Sequence, residues 1–253
     1  MEKSGLKKNI MHIDELEQTL VLIKPDALKN SLTGYILSQF SEFHTGLCFA
    51  GTKIVQVHKM LAEEHYNEHR GKPFYSSLIE YICGKTHYPN EPPKQRVIAI
   101  VYQGINAIQT IRNIAGPTNP QLARMEKPGC IRSLGTTVPQ QGENENMDGE
   151  RIDNLIHASA NSSDAEHEIK LWFRPSDIPP NMHEYPTQRC KRHVYYKKGK
   201  ILSEYESDSI CLMTPGEITW LSDMAAIEAI QNGEKTTCRL EAVVAKYLIN
   251  EVV

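Results

Sequence analysis

The chain has 253 residues, 40% of them hydrophobic and 23% charged, with a formal net charge of −3. This is the composition of an ordinary globular protein, and its slightly acidic balance gives no general attraction for nucleic acid, so specific nucleic-acid binding is not expected and a nucleotide would have to be drawn by local Lys and Arg. No apolar run approaches the ~20 residues of a membrane helix, and the opening MEKSGLKKNIMHIDELEQ contains no signal-peptide core.

Residues 1–16 are polar and read as a leader. TLVLIK at 19–24 is a short apolar run stopped by Pro25, a buried strand whose end presents Lys24. GYILSQFSEF at 34–43 spaces Ile36, Leu37, Phe40 and Phe43 at helical intervals. TKIVQVHKM at 52–60 reads as a strand and AEEHYNEH as a short polar helix. KPFYSSLIEYI starts a helix near Pro73, with Leu78, Ile79 and Ile82 on one face. VIAIVYQG at 97–104 is the clearest strand in the chain. The next helix has Asn106 as its expected N-cap and Gly116 as its stop.

Residues 117–150 read as one long loop with limited helix, almost wholly polar from Val138 to Glu150. DNLIHAS at 153–159 is extended. Ser163 followed by Glu166 makes a capping-box pattern that opens a helix to about Phe173. Strands alternating with helices in this order predict an α+β fold: a βαββαβ antiparallel sheet with helices on one face. Pro175, Pro179, Pro180 and Pro186 mark a linker. Beyond it lies a small C-terminal α/β extension, 176–253. It has a hairpin around Lys198-Gly199, a second capping box at Thr214–Glu217 opening a helix to about Asn232, and helical spacing from Leu240 to Leu248.

There is no GxxxxGK and no GxGxxG, so any phosphates must be held by side chains rather than a glycine cradle. Arg112 ends a helix, Thr118 follows in the loop, and Arg132 comes after the turn PGCIR. Guanidinium groups fork onto phosphate oxygens, and a hydroxyl adds a donor. His157 has Asn154 before it, Ser159 after it and Glu168 on the next helix. An imidazole nucleophile needs one nitrogen free and the other held by an acceptor, a part that Glu168 suits. Ser159 is placed to reach either a phosphoryl group or that carboxylate. His65 and His69 lack the HExxH pattern, and His183, Cys190 and His193 lack a fourth ligand, so no protein metal site is expected. The Tyr and Lys group at 195–200 reads as a solvated hairpin. The six cysteines form no CxxC pair, which suits reduced thiols and a cytoplasmic setting.

TLVLIKPDALK, EEHYNEHRGKPF, RNIAGPTNP, KPGCIR and NLIHAS…SSDAEHEIKLWF together resemble the nucleoside diphosphate kinase family, in order and wording, over roughly residues 17–175. The resemblance implies a ferredoxin-like core and a Mg²⁺-dependent ping-pong transfer between ATP and nucleoside diphosphates. By that likeness His157 corresponds to the phosphorylated histidine and Glu168 to the carboxylate that orients it. Lys24 and Asn154 correspond to the ribose-contacting pair, Tyr66 to the tyrosine beside the histidine, and Phe74 to the aromatic under the base. Arg112, Thr118 and Arg132 correspond to the phosphate clamp and Ser159 to the serine after the nucleophile. Mg²⁺ is expected through the nucleotide phosphates, and a homo-oligomer is expected.

The chain also departs from the family pattern. His-Gly-Ser-Asp-Ser reads here His157-Ala158-Ser159-Ala160-Asn161, and segments near 83–96 and 138–150 are longer than usual. These departures support an alternative, a nucleotide-binding regulatory module with little kinase activity. Transfer from His157 to a protein histidine is a third reading.

Overall fold

A computed structural model of the chain describes residues 16–140, 149–236 and 238–249. Almost all of the expected leader, and most of the polar stretch 138–150, lie outside the described residues. In chain order the strands are β1 (Leu16–Ile23), β2 (Cys48–Val55), β3 (Val97–Ile105), β4 (Thr136–Gln140), β5 (Gly149–Asp153) and β6 (Ile156–Ala158). Five short strands follow: β7 (Thr187–Arg189), β8 (Val194–Lys197), β9 (Lys200–Leu202), β10 (Ile210–Met213) and β11 (Ile218–Trp220). The helices are α1 (Pro25–Lys29), α2 (Thr33–Gln39), α3 (Glu42–Thr45), α4 (Lys59–His65) and α5 (Tyr75–Ile82). They continue with α6 (Ala107–Ala115), α7 (Pro120–Glu126), α8 (Ser162–Trp172), α9 (Leu221–Gln231) and α10 (Leu240–Val244).

The main sheet has the order β2-β3-β1-β6 and is antiparallel throughout, the ferredoxin-like class. β1 is apolar at successive positions, so both of its faces must be covered. Leu20 and Leu22 pack with Ala99, Val101, Leu61, Ile169 and Trp172. Val21 and Ile23 pack on the other side with Ile36, Ile100, Tyr102 and Ile111. Helices therefore lie on both faces, which corrects the expectation of one: α4 and α8 belong to the first cluster, α2 and α6 to the second.

Several local readings are corrected by the choice of cap or by burial. The strand expected at 52–60 starts at Cys48 and ends at Val55, and Met60 already belongs to α4. The helix expected at 34–43 breaks after Gln39, and Phe43 is 93% exposed rather than on a buried face. Asn106 takes a left-handed conformation (φ 52°) with no side-chain cap; a Glu17 carboxylate oxygen accepts the Ile108 N–H instead, at 3.2 Å. The stretch after 117 carries α7, capped by Asn119, and the antiparallel pair β4–β5. Asn161, not Ser163, caps α8, accepting from the Asp164 N–H at 2.9 Å. Thr214–Glu217 closes a turn before β11, and the helix begins only at Leu221.

The proline-rich passage is packed against the core rather than left as a spacer. Ile178 and Trp220 join the β1 cluster, Trp220 Nε1 donates to the Phe173 carbonyl at 2.7 Å, and Gln18 donates to the Met182 carbonyl. Lys198 and Gly199, at φ 45° and 82°, turn the hairpin β8–β9, as a two-residue hairpin loop with positive φ at both positions does. The extension has its own cluster around Val194, Met213, Met224, Ile227 and Val243, and buries a Lys246–Asp223 ion pair of 2.7 Å. It reaches α4 directly. His58 Nε2 donates to the Ala245 carbonyl at 3.0 Å, and Arg239 contacts Glu64 at 3.2 Å and the Asn67 side chain. No helix among the described residues is long and apolar enough to cross a membrane.

Candidate active site

His157 sits in the middle of β6, paired with Leu22 of β1. The chain reaches that strand through Leu155, which adopts φ +69°, a costly conformation for a leucine. Two backbone bonds hold it there: its N–H donates to Asp26 Oδ2, and its carbonyl accepts from the Lys24 N–H, both at 2.9 Å. The turn after β1 and the turn before β6 are thereby tied together. That tie places Lys24, Asn154 and His157 in one cavity.

The cavity has a volume of about 550 Å³ and is lined, among others, by Lys24, His65, Tyr66, Phe74, Arg112, Thr118, Arg132, Asn154, His157 and Glu168. Nine of the ten sequence-derived site residues thus meet in one place. The tenth, Ser159, is fully buried behind the histidine. Its hydroxyl donates to Glu168 Oε2 at 2.6 Å while accepting from the Leu20 N–H at 3.1 Å. Of the two roles open to it, the carboxylate contact is the one formed.

Glu168 lies on the inner face of α8. Its Oε1 is 2.9 Å from His157 Nε2. Burial pushes the Glu168 carboxyl up, but the His157 ring, His65 and the Ser159 hydroxyl outweigh it and hold the acid down at about 2. A carboxylate kept ionised against Nε2 leaves Nδ1 as the nitrogen available to a substrate.

A second histidine, His65 on α4, completes this corner. Its ring centroid is 4.5 Å from that of His157, edge to face. Burial, then the neighbouring His157, lowers its pKa to about 3, so it is neutral. Trp172 Nε1 donates to its Nδ1 at 3.3 Å, so the neutral ring carries its proton on Nε2. His65, His157 and Glu168 could by distance hold a cation. The tautomer argues otherwise, because the His65 nitrogen facing the group has a proton and no free lone pair. The signal that would have found His65 is its place directly before Tyr66.

The wall of the cavity formed by Lys24, Arg112 and Arg132 is cationic. Lys24 Nζ donates to Asn154 Oδ1 at 2.8 Å, and Asn154 in turn donates to the Thr118 carbonyl at 3.1 Å. Burial lowers the lysine pKa to about 8. Arg132, on the short helical turn Ile131–Leu134, donates to the carbonyls of Gly116 and Ile156. Burial, then Arg112, lowers its pKa to about 10. Gly116 (φ 80°) allows this approach, since a Cβ there would meet Cys130 Sγ at 2.1 Å. The Tyr66 hydroxyl is buried without a partner, and burial, then Glu168, raises its pKa. Arg112 and Thr118 are exposed at the mouth, and Phe74 is 48% exposed at the start of α5.

His183 bonds the carbonyls of Pro175 and Ile178, and His193 stacks on Tyr195. All six cysteines are free thiols.

The sequence profile of the family described as nucleoside diphosphate kinase matches residues 17–178. The nucleoside diphosphate kinase of Pyrococcus furiosus is 39% identical over 189 residues, 74% of this chain and 97% of that protein. That of Staphylococcus aureus strain Newman is 40% identical over 164 residues, 64% of this chain and 91% of that protein. Among solved structures, the Aquifex aeolicus nucleoside diphosphate kinase superposes with a TM-score of 0.53 at 30% identity, covering 65% of this chain and 100% of that one. A transition-state mimic of the Borrelia burgdorferi enzyme with vanadate and ADP gives 0.52 at 30% identity, covering 67% and 94%. With the profile spanning most of the chain and the fold agreeing, the chain belongs to the nucleoside diphosphate kinase family.

Proposed function

We propose that this chain transfers the γ-phosphoryl group of a nucleoside triphosphate, ATP in the first instance, to nucleoside diphosphates through a phosphohistidine at His157. The observation that carries the reading is the His157–Glu168–Ser159 chain at the floor of a cation-lined cavity. Nδ1 of His157 attacks the γ-phosphorus, the N–P bond forms as the bond to the β-phosphate oxygen breaks, and the diphosphate leaves with the electron pair. Glu168 stabilises the positive charge left on the ring, and Ser159 holds the carboxylate. Lys24, Arg112, Arg132 and Thr118 bind the phosphate oxygens, and the Tyr66 hydroxyl supplies a further donor. Such electrostatic positioning is the main source of rate in phosphoryl transfer. A second nucleoside diphosphate reverses the steps. Phe74 offers a face to the base and contributes no base-edge hydrogen bonds.

Mg²⁺ fits this site as a partner of the nucleotide. The phosphate side offers cations and hydroxyls, while Glu168 is engaged with His157 and Ser159. Bound to the phosphates, Mg²⁺ supplies neutralisation of their charge. Self-assembly into a homo-oligomer belongs to the same reading, supported by Phe49 and Ile54 exposed on the edge strand β2; mass in solution tests it. Six free thiols favour a cytoplasmic setting.

The test is incubation with γ-labelled ATP and Mg²⁺ without acceptor, followed by intact mass analysis at alkaline pH. An acid-labile phosphoryl group on His157, discharged by GDP or CDP, is expected. His157→Ala should abolish it while retaining ATP binding. A phosphoryl-enzyme that survives in His157→Ala would rule the mechanism out. Binding without any phosphoryl-enzyme in the unaltered chain would favour the regulatory module.

A further inference from the structure

The cavity wall contains one cation that stands outside the phosphate set. Arg151, on β5 at the end of the second lengthened segment, lines the cavity together with Ile152, Phe74, Leu78 and Tyr81. Its guanidinium is gripped along one edge by Asp153. Nε donates to Oδ1 at 2.8 Å and an Nη nitrogen donates to Oδ2 at 3.0 Å.

Asp153 is itself fixed. It is buried, and its Oδ2 also accepts from His87 Nε2 at 2.9 Å. The His87 carbonyl in turn accepts from Lys29 Nζ at 2.8 Å. Burial pushes the Asp153 acid up, but the bonds from His87 and Arg151 outweigh it, so it stays a carboxylate. His87 belongs to the first lengthened segment, near 83–96. The first lengthened segment therefore reaches Asp153, just past the end of the second, and helps to orient an arginine in the cavity wall.

The bidentate grip uses one edge of the fork and, among the described residues, leaves both faces of the guanidinium and its remaining Nη nitrogen uncommitted. A planar cation of this kind stacks on aromatic rings. Its companions Ile152, Leu78 and Phe74 are apolar and suit a ring rather than a phosphate. The phosphate oxygens are served by Lys24, Arg112 and Arg132.

We propose that Arg151 is a base-contacting residue that stacks its guanidinium plane on the nucleobase and biases this protein toward purine nucleotides. The proposal rests on the cavity being the nucleotide site argued above. A purine presents a two-ring face and gains more from a fixed planar cation than a one-ring pyrimidine does.

The experiment compares the full chain with its Arg151→Ala and Arg151→Lys variants. Discharge of the phosphoryl-enzyme by GDP, ADP, CDP and UDP is followed, with KM and kcat read separately. Arg151→Ala should raise KM for GDP and ADP about tenfold and for CDP and UDP about threefold, with kcat unchanged. Arg151→Lys keeps the charge and loses the plane, so it should behave like Arg151→Ala toward purines. Recovery of the original KM values in Arg151→Lys would overturn the stack in favour of a simple charge contact with phosphate. Equal shifts for all four diphosphates would overturn the purine bias. If no phosphoryl-enzyme forms in the unaltered chain, the kinase mechanism fails, and calorimetric binding of the same four diphosphates to the three proteins still decides the base contact.

Discussion

The cavity around His157 and the junction of the C-terminal extension with the core are both buried and both charged, yet they treat their polar atoms differently. At the junction, Lys246 and Asp223 close on each other at 2.7 Å. In the cavity, His65 Nε2, Tyr66 Oη and Arg132 Nε are buried without hydrogen-bond partners among the described residues. A buried polar atom left unmatched costs about 1–3 kcal/mol, so a cluster of them needs a reason. A ligand that arrives with acceptor oxygens supplies one. The junction holds its structure by pairing charges among its own residues, whereas the cavity leaves its donors for something else to satisfy.

Three further experiments, besides those on His157 and Arg151, test this difference. The largest effect is expected at Glu168. Glu168→Gln keeps the size and the Ser159 contact but loses the charge facing Nε2. Phosphorylation of His157 should slow on the order of a hundredfold, as followed by rapid quench, with little change in melting temperature. An unaltered rate would take Glu168 out of the site.

The junction should respond the other way. Lys246→Met leaves Asp223 buried and alone, and should lower stability by about 3–5 kcal/mol, measured by denaturant unfolding. Turnover per folded molecule should change little. A variant that loses turnover while keeping its stability would show that the extension contributes to catalysis directly.

The smallest effect concerns Lys24, a buried cation of the cavity. Burial holds its pKa near 8 in the free protein, below its ordinary value of 10.5. Between those values the unfolded chain binds more protons than the folded one, so this lysine's contribution to stability rises with pH across that window. Anionic phosphates favour the charged form. ADP binding at pH 8.5 should therefore take up a fraction of a proton, measured by calorimetry in buffers of different ionisation enthalpy. Proton release, or none, would place Lys24 away from the phosphates.

The long apolar runs were legible in the sequence because burial on both faces leaves a plain signature, as in β1 and β3. The site was legible as a set of residue types in a known order rather than by spacing alone. Tertiary contacts decided what the sequence misjudged. Asn106 has the chemistry of an N-cap, but Glu17 from a neighbouring strand does that work. Asn161 outcompetes Ser163 because its side chain reaches the Asp164 N–H from an extended backbone. Phe43 keeps helical spacing from Phe40, but the chain breaks between them. Neither His65 nor Arg151 stood out: Trp172, the partner of His65, lies 107 residues away, and Asp153, which grips Arg151, is fixed by His87, 66 residues before it.

The shape of α4 has one more consequence. Glu64, which meets Arg239 of the extension, and His65, which meets His157, are consecutive residues on one short helix. The two regions contrasted above thus share a piece of backbone, and their equilibria are linked. Any ligand that binds only the folded cavity stabilises that helix by an amount set by its concentration over its Kd, about 2.7 kcal/mol at a hundredfold excess. Part of that protection extends to the clasp on the other side. By reciprocity, a molecule that pried the extension off α4 would weaken binding of such a ligand by whatever factor that ligand strengthens the clasp. The extension is then a place from which occupancy of the His157 cavity can be felt, and altered, without entering it.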